Sequence, residues 1–125
     1  MASRSRRIRS PVYVYHFEQT SPYNPVATHA TDVPYVFGNL PAINGVSPGS
    51  QDIAVSGTIQ SYWTNFARTG DPNGAGLALW PRYAGAGSQT MRIGAVVAAG
   101  PEEGTARYRF LDRFRVTGLI AVRAP

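Results

Sequence analysis

Cysteine and lysine are both missing from these 125 residues, and histidine occurs only twice. Without cysteine the chain has no disulfide and no thiolate metal site, and two histidines fill a zinc shell only if several carboxylates are placed around them. The redox compartment is therefore left open. No apolar run is long enough to span a bilayer, and no secretory h-region occurs, so no membrane span is expected. What is present is 43% hydrophobic and 15% charged residues, enough for one modest globular core.

The absence of lysine leaves twelve arginines to carry the formal charge of +5, a bias attributed first to coding composition. Four of them, Arg4, Arg6, Arg7 and Arg9, lie in the first ten residues, and the rest of the chain is close to neutral. Such an arm could contact phosphates or an acidic membrane surface, or act as an Arg- and Ser-rich presequence. The plainer expectation is a disordered or wrongly started arm over residues 1–10, with nucleic acid not a partner.

Residues 11–18 form a β-branched and aromatic run bounded by Pro11 and a polar cluster, which predicts a strand. Apolar residues on both its faces suggest a strand covered on two sides in a parallel sheet, yet no second strand of that kind is evident beside it. Residues 19–31, rich in Pro, Asn, Ser and Thr, predict a loop, followed by one or two helical turns over 32–40. Ser50 is the expected N-cap of a helix over 51–69, in which Val55, Ile59, Tyr62, Trp63 and Phe66 recur at helical spacing and Gly70 is the stop. That aromatic stripe reads as core packing. Residues 77–83 and 90–93 read as short extended segments, and 106–114 as a closing helix with Phe110, Leu111 and Phe114 on one side. Residues 115–125 form an irregular tail in which 119–122 could pair as an exposed strand.

A lone histidine is most often structural, and His16, inside the first strand, needs only an ordinary hydrogen-bond partner. His29 differs in context: it lies on a loop after a strand, where a catalytic imidazole can swing toward a serine hydroxyl while a carboxylate holds its other nitrogen. Gly45-Val46-Ser47-Pro48-Gly49 fits the bare G-x-S-x-G pattern of a nucleophile elbow. It fails physically, because the elbow needs an N–H on the residue after the serine for the oxyanion hole and Pro48 has none. Ser47 is therefore read as loop.

Five segments carry a resemblance, in order along the chain. They are the strand Val12-Tyr13-Val14-Tyr15-His16-Phe17; the loop His29-Ala30-Thr31-Asp32-Val33-Pro34-Tyr35-Val36-Phe37-Gly38; and the helix end Tyr62-Trp63-Thr64-Asn65-Phe66-Ala67-Arg68-Thr69-Gly70-Asp71-Pro72-Asn73. The turn Trp80-Pro81-Arg82-Tyr83 and the closing Phe110-Leu111-Asp112-Arg113 complete the set. Together, over 11–114, the sequence resembles the C-terminal region of the type-B carboxylesterases, the cholinesterase-like branch of the α/β-hydrolases. The resemblance implies an α/β fold, specifically the C-terminal fragment of an α/β-hydrolase. It also implies ester hydrolysis through an acyl-serine, with no metal or organic cofactor, and the role of general base for His29. Asp32 matches an acidic position of the same loop and is not the triad acid; a cap on the following turn is its expected role.

In α/β-hydrolases the triad runs in the order nucleophile, acid, histidine. No Gly-Glu-Ser-Ala-Gly elbow and no glycine-rich oxyanion loop precede His29 here. The expectation is a truncated, split or mis-called reading frame, inactive alone, that meets an ester substrate only in a complete enzyme. The alternative is a non-catalytic interaction module, or the complementing half of a split esterase whose partner is an N-terminal esterase half.

Overall fold

The computed structural model describes residues 10–102 and 104–116. The arm expected over 1–10 lies almost wholly outside them, as does the strand expected over 119–122. Six elements follow one another: β1 (Tyr15–Phe17), α1 (Val33–Phe37), α2 (Ser50–Thr69), β2 (Gln89–Ile93), β3 (Val97–Pro101) and α3 (Thr105–Val116).

The first strand is not without a neighbour. β1 pairs in parallel with β2 in the register Tyr15↔Met91, His16↔Arg92 and Phe17↔Ile93, and β2 pairs antiparallel with β3, giving the order β1-β2-β3. The ladder is shorter than 11–18, although the Val14 carbonyl accepts from the Met91 amide at 2.9 Å and the Val12 carbonyl from Tyr83 at 2.8 Å. Side chains alternate across a strand. Tyr15 and Phe17 therefore share the core face with Met91 and Ile93, while His16 is exposed on the other, so among the described residues β1 is not buried on both faces.

α2 carries the core from its side. Asp52, Val55, Ser56, Ile59 and Tyr62 are buried at three- and four-residue intervals. Trp63 packs partly buried beside them, whereas Phe66, expected in the same stripe, is 46% exposed and meets Tyr13 edge-on at 5.9 Å. The N-cap is Gly49 rather than Ser50, because the Asp52 carboxylate reaches back to the Gly49 amide at 2.9 Å. This is half of a capping box, since glycine has no side chain to reciprocate. Gly70, at φ 76, closes the helix as expected, its amide bonded to the Phe66 carbonyl at 2.8 Å.

Residues 77–83 form no strand. Asn73 does the work a neighbouring strand would do: its Oδ1 accepts from the Trp80 amide at 2.7 Å and its Nδ2 donates to the Trp80 carbonyl at 3.0 Å. The Tyr62 hydroxyl donates to the Ala78 carbonyl at 2.6 Å and the Trp80 indole N–H to the Val14 carbonyl at 3.1 Å. Side chains thus take the backbone groups of Ala78 and Trp80 that a ladder would otherwise pair. Trp80 sits at the centre of an aromatic cluster with Tyr13, Tyr15, Tyr62 and Trp63, at centroid separations of 5.2 to 6.0 Å. The closing helix forms and runs on to Val116, two residues into the tail expected to be irregular. Its Tyr108, Phe110 and Leu111 are each more than half exposed.

Candidate functional site

The loop before α1 is built from small polar bonds. The Asn24 side chain donates to the Gln19 carbonyl at 2.7 Å, its amide donates to Ser21 Oγ at 3.1 Å, and the Ser21 amide donates to the Asn24 carbonyl at 2.9 Å. The chain then turns through 28–31, where the Thr31 hydroxyl donates to the Thr28 carbonyl at 2.8 Å. Ala30 adopts φ 63, a left-handed conformation that costs a residue with a Cβ about 1–2 kcal/mol. His29 stands on this turn with its side chain exposed. It borders a cleft of about 230 Å³ whose walls include Tyr23, Asn24, Thr31, Pro34 and Tyr35.

Asp32 does not act as the expected side-chain cap. It occupies the N-cap position and its carbonyl accepts from the Val36 amide at 3.0 Å, but its carboxylate makes no cap bond. Instead Asp32 Oδ2 accepts from the Tyr15 hydroxyl at 2.5 Å, tying the loop to β1. The cap is forgone because the Asp32 backbone is already helical, at φ −73 and ψ −24, where a capping residue is extended, and because Pro34 has no N–H to offer. Burial and then the hydrogen bond to Asp32 push the Tyr15 phenol up to about 12.

The residue that sequence reasoning missed is Asp52. It is 1% exposed, and its Oδ1 accepts three hydrogen bonds: from Gln19 Nε2 at 3.0 Å, Ser21 Oγ at 2.9 Å and the Tyr35 hydroxyl at 2.7 Å. Its Oδ2 takes the Gly49 amide. Burial alone would raise this carboxyl; the bonds from Tyr35, Gln19, the Gly49 amide and Ser21 outweigh it and hold it below the ordinary aspartate range. The Tyr35 phenol is pushed well up, by burial first and by Asp52 second. The signal in the sequence was slight: an acid three residues after a helix-start glycine. Beside it, Ser56 Oγ donates to the Tyr35 carbonyl at 2.7 Å, a second polar tie between α1 and α2.

The other two candidates are placed plainly. His16 is exposed, with Nδ1 3.0 Å from Glu18 Oε1, and Glu18 also pairs with Arg92 Nε at 2.8 Å, a surface cluster of the ordinary kind. Ser47 is exposed after a tight turn, Ile43-Asn44-Gly45-Val46, in which Asn44 and Gly45 both have positive φ. No strand of the sheet leads into it. Among the described residues no group of three or more His, Asp or Glu could hold a metal ion, and no helix is long and apolar enough to cross a membrane.

The family model for the carboxylesterase family matches residues 1–111. The medium-chain fatty acyl-CoA hydrolase precursor of Anas platyrhynchos is 38% identical over 90 residues, 66% of this chain and 16% of that protein. Carboxylesterase 4A of Bos taurus is 42% identical over 79 residues, 58% of this chain and 14% of that protein. Among solved structures, a carboxylesterase of Geobacillus stearothermophilus superposes with TM-score 0.65 at 32% identity, over 80% of this chain and 21% of its own. A thermophilic pNB esterase does so with TM-score 0.70 at 28% identity, over 81% and 22%. This chain thus spans about a sixth of the length of the first relative and about a seventh of the second. A small α/β sheet with the fold of solved esterases, together with a family match along most of its length, places this chain in the carboxylesterase family.

Proposed function

We propose that these residues are the histidine-bearing C-terminal segment of a serine carboxylic ester hydrolase, with His29 as general base. In the complete enzyme the imidazole takes the serine proton as the hydroxyl oxygen attacks the ester carbonyl. It returns that proton to the departing alcohol, and water, deprotonated in the same way, releases the acid from the acyl-serine. The observation that carries this reading is the exposed His29 beside a cleft, on a turn flanked by the hydrogen bonds that meet at Asp52. No Gly-Glu-Ser-Ala-Gly elbow and no glycine-rich oxyanion loop precede His29 in these residues. Covalent catalysis and most transition-state stabilisation then depend on other residues, and the 125 residues alone hydrolyse esters inefficiently.

The test is complementation. The chain is co-expressed with the N-terminal part of a carboxylesterase that carries the serine and acid, and p-nitrophenyl acetate turnover is measured. Turnover that falls on the order of a thousandfold or more in His29→Ala supports the reading; turnover indifferent to that change refutes it. A second reading, a non-catalytic docking module, is favoured by the exposed Tyr108, Phe110 and Leu111 of α3. Stable association without any turnover would support it instead.

A further inference from the structure

We infer that Asp52 is a positioning residue for His29, a step that rests on reading His29 as the general base. The two ends of the histidine segment are tied to α2 at one atom. Gln19 and Ser21, upstream of His29, and Tyr35, downstream of it, all donate to Asp52 Oδ1. From the upstream tie, Asn24 hangs on the Gln19 carbonyl and lines the cleft beside His29; from the downstream tie, the Tyr35 ring forms another wall of the same cleft. Bringing both ends of a loop to a common point removes most of the conformations open to the residues between them.

Apart from the Thr31 hydroxyl on the Thr28 carbonyl and the Tyr15 bond to Asp32, the turn is held loosely from within. Its backbone bonds are long, Thr31 amide to Thr28 carbonyl at 3.3 Å and Val33 amide to Ala30 carbonyl at 3.2 Å, and Ala30 is in the left-handed region. A turn so weakly bonded internally takes its place from its anchors. A carboxylate suits the task because three donors converge on one oxygen, and bonds to an ionised acceptor are about twice as strong as neutral ones. The position in the first turn of a long helix adds the favourable field of the helix N-terminus. Serine attack requires the imidazole within hydrogen-bond reach of the hydroxyl, and a misplacement of about 1 Å can cost about a hundredfold in rate.

The experiment compares wild type with Tyr35→Phe, which removes one tie and keeps the ring, and with Asp52→Asn. Amide hydrogen exchange is followed by NMR on the full chain. In both variants, exchange at Thr31 and Val33 is expected to rise about tenfold or more while that of Met91 stays within about twofold. The His29 ring signal should change while that of His16, the other histidine of the chain, stays. In the complemented esterase, kcat should fall about tenfold with KM nearly constant. Exchange unchanged at Thr31 and Val33, or raised equally at Met91, would overturn the proposal, and if Asp52→Asn does not fold, Tyr35→Phe alone decides it. Turnover that survives His29→Ala would sink the general-base reading separately, without touching the exchange result.

Discussion

Asn73 offers the sharpest test of how the fold is held. Its amide bonds both the N–H and the carbonyl of Trp80, which is 4% exposed and sits at the centre of the aromatic cluster. Asn73→Ala removes both bonds and leaves a buried N–H with no partner. A third bond, to Asp71 Oδ1, goes with them; the two to Trp80 at about 1 kcal/mol each, with the desolvation penalty of an unpaired buried group at about 1–3 kcal/mol, put the cost at about 3–5 kcal/mol. Asn73→Asp separates the terms. It keeps an acceptor for the Trp80 N–H but turns the donor that faces the Trp80 carbonyl and Asp71 Oδ1, at 2.8 Å, into an oxygen. That variant should be far less stable at neutral pH than at a pH low enough to protonate the new carboxyl. Urea unfolding followed by tryptophan fluorescence reads both directly, because Trp63 and Trp80 are the two tryptophans and both lie in the cluster. With a slope of about 1.5 kcal/mol/M, Asn73→Ala should lower the midpoint by about 2–3 M. A shift under about 0.5 M would mean that the loop holds Trp80 without its side-chain clamp, and the argument would fail.

The Tyr15 phenol is pushed up to about 12, and a phenol raised on folding contributes stability that is full below about pH 10 and is lost as the pH rises toward 12. Tyr15→Phe should therefore flatten alkaline unfolding over that range and remove one late-titrating phenol from the ultraviolet titration; an unchanged alkaline slope would contradict the bond to Asp32. Asp52 is shifted the other way, so its contribution is present above the ordinary aspartate pKa and is lost as the pH falls toward the depressed value. Stability measured from pH 5 to pH 2 should fall less steeply in Asp52→Asn than in wild type. Gly38→Ala places a Cβ at φ 64 and 2.9 Å from the Gln60 amide, which must leave Ser56 to make room; a loss of about 1–2 kcal/mol is expected in the same urea assay.

Local pattern was enough for part of this molecule. The apolar spacing of Val55, Ile59 and Tyr62 with Gly70 behind it determined α2, and the order of five short segments determined the family. These are decided over a few residues, by side-chain periodicity and by the steric freedom of glycine. The long-range pairings were not legible. β1 meets β2 across most of the chain, and β3, built from Val97, Ala98, Ala99, Gly100 and Pro101, has little strand propensity of its own and exists because β2 supplies a ladder. Residues 77–83 look extended in sequence but are held by the side chain of Asn73, and Asp32 looks like a cap but answers to Tyr15 on the sheet. Asp52 shows the same limit most clearly. In sequence it is one acid in the first turn of a helix; only folding brings Gln19, Ser21 and Tyr35 to its oxygen. A buried carboxylate takes its meaning from the donors that surround it, and those come from parts of the chain that sequence spacing does not relate.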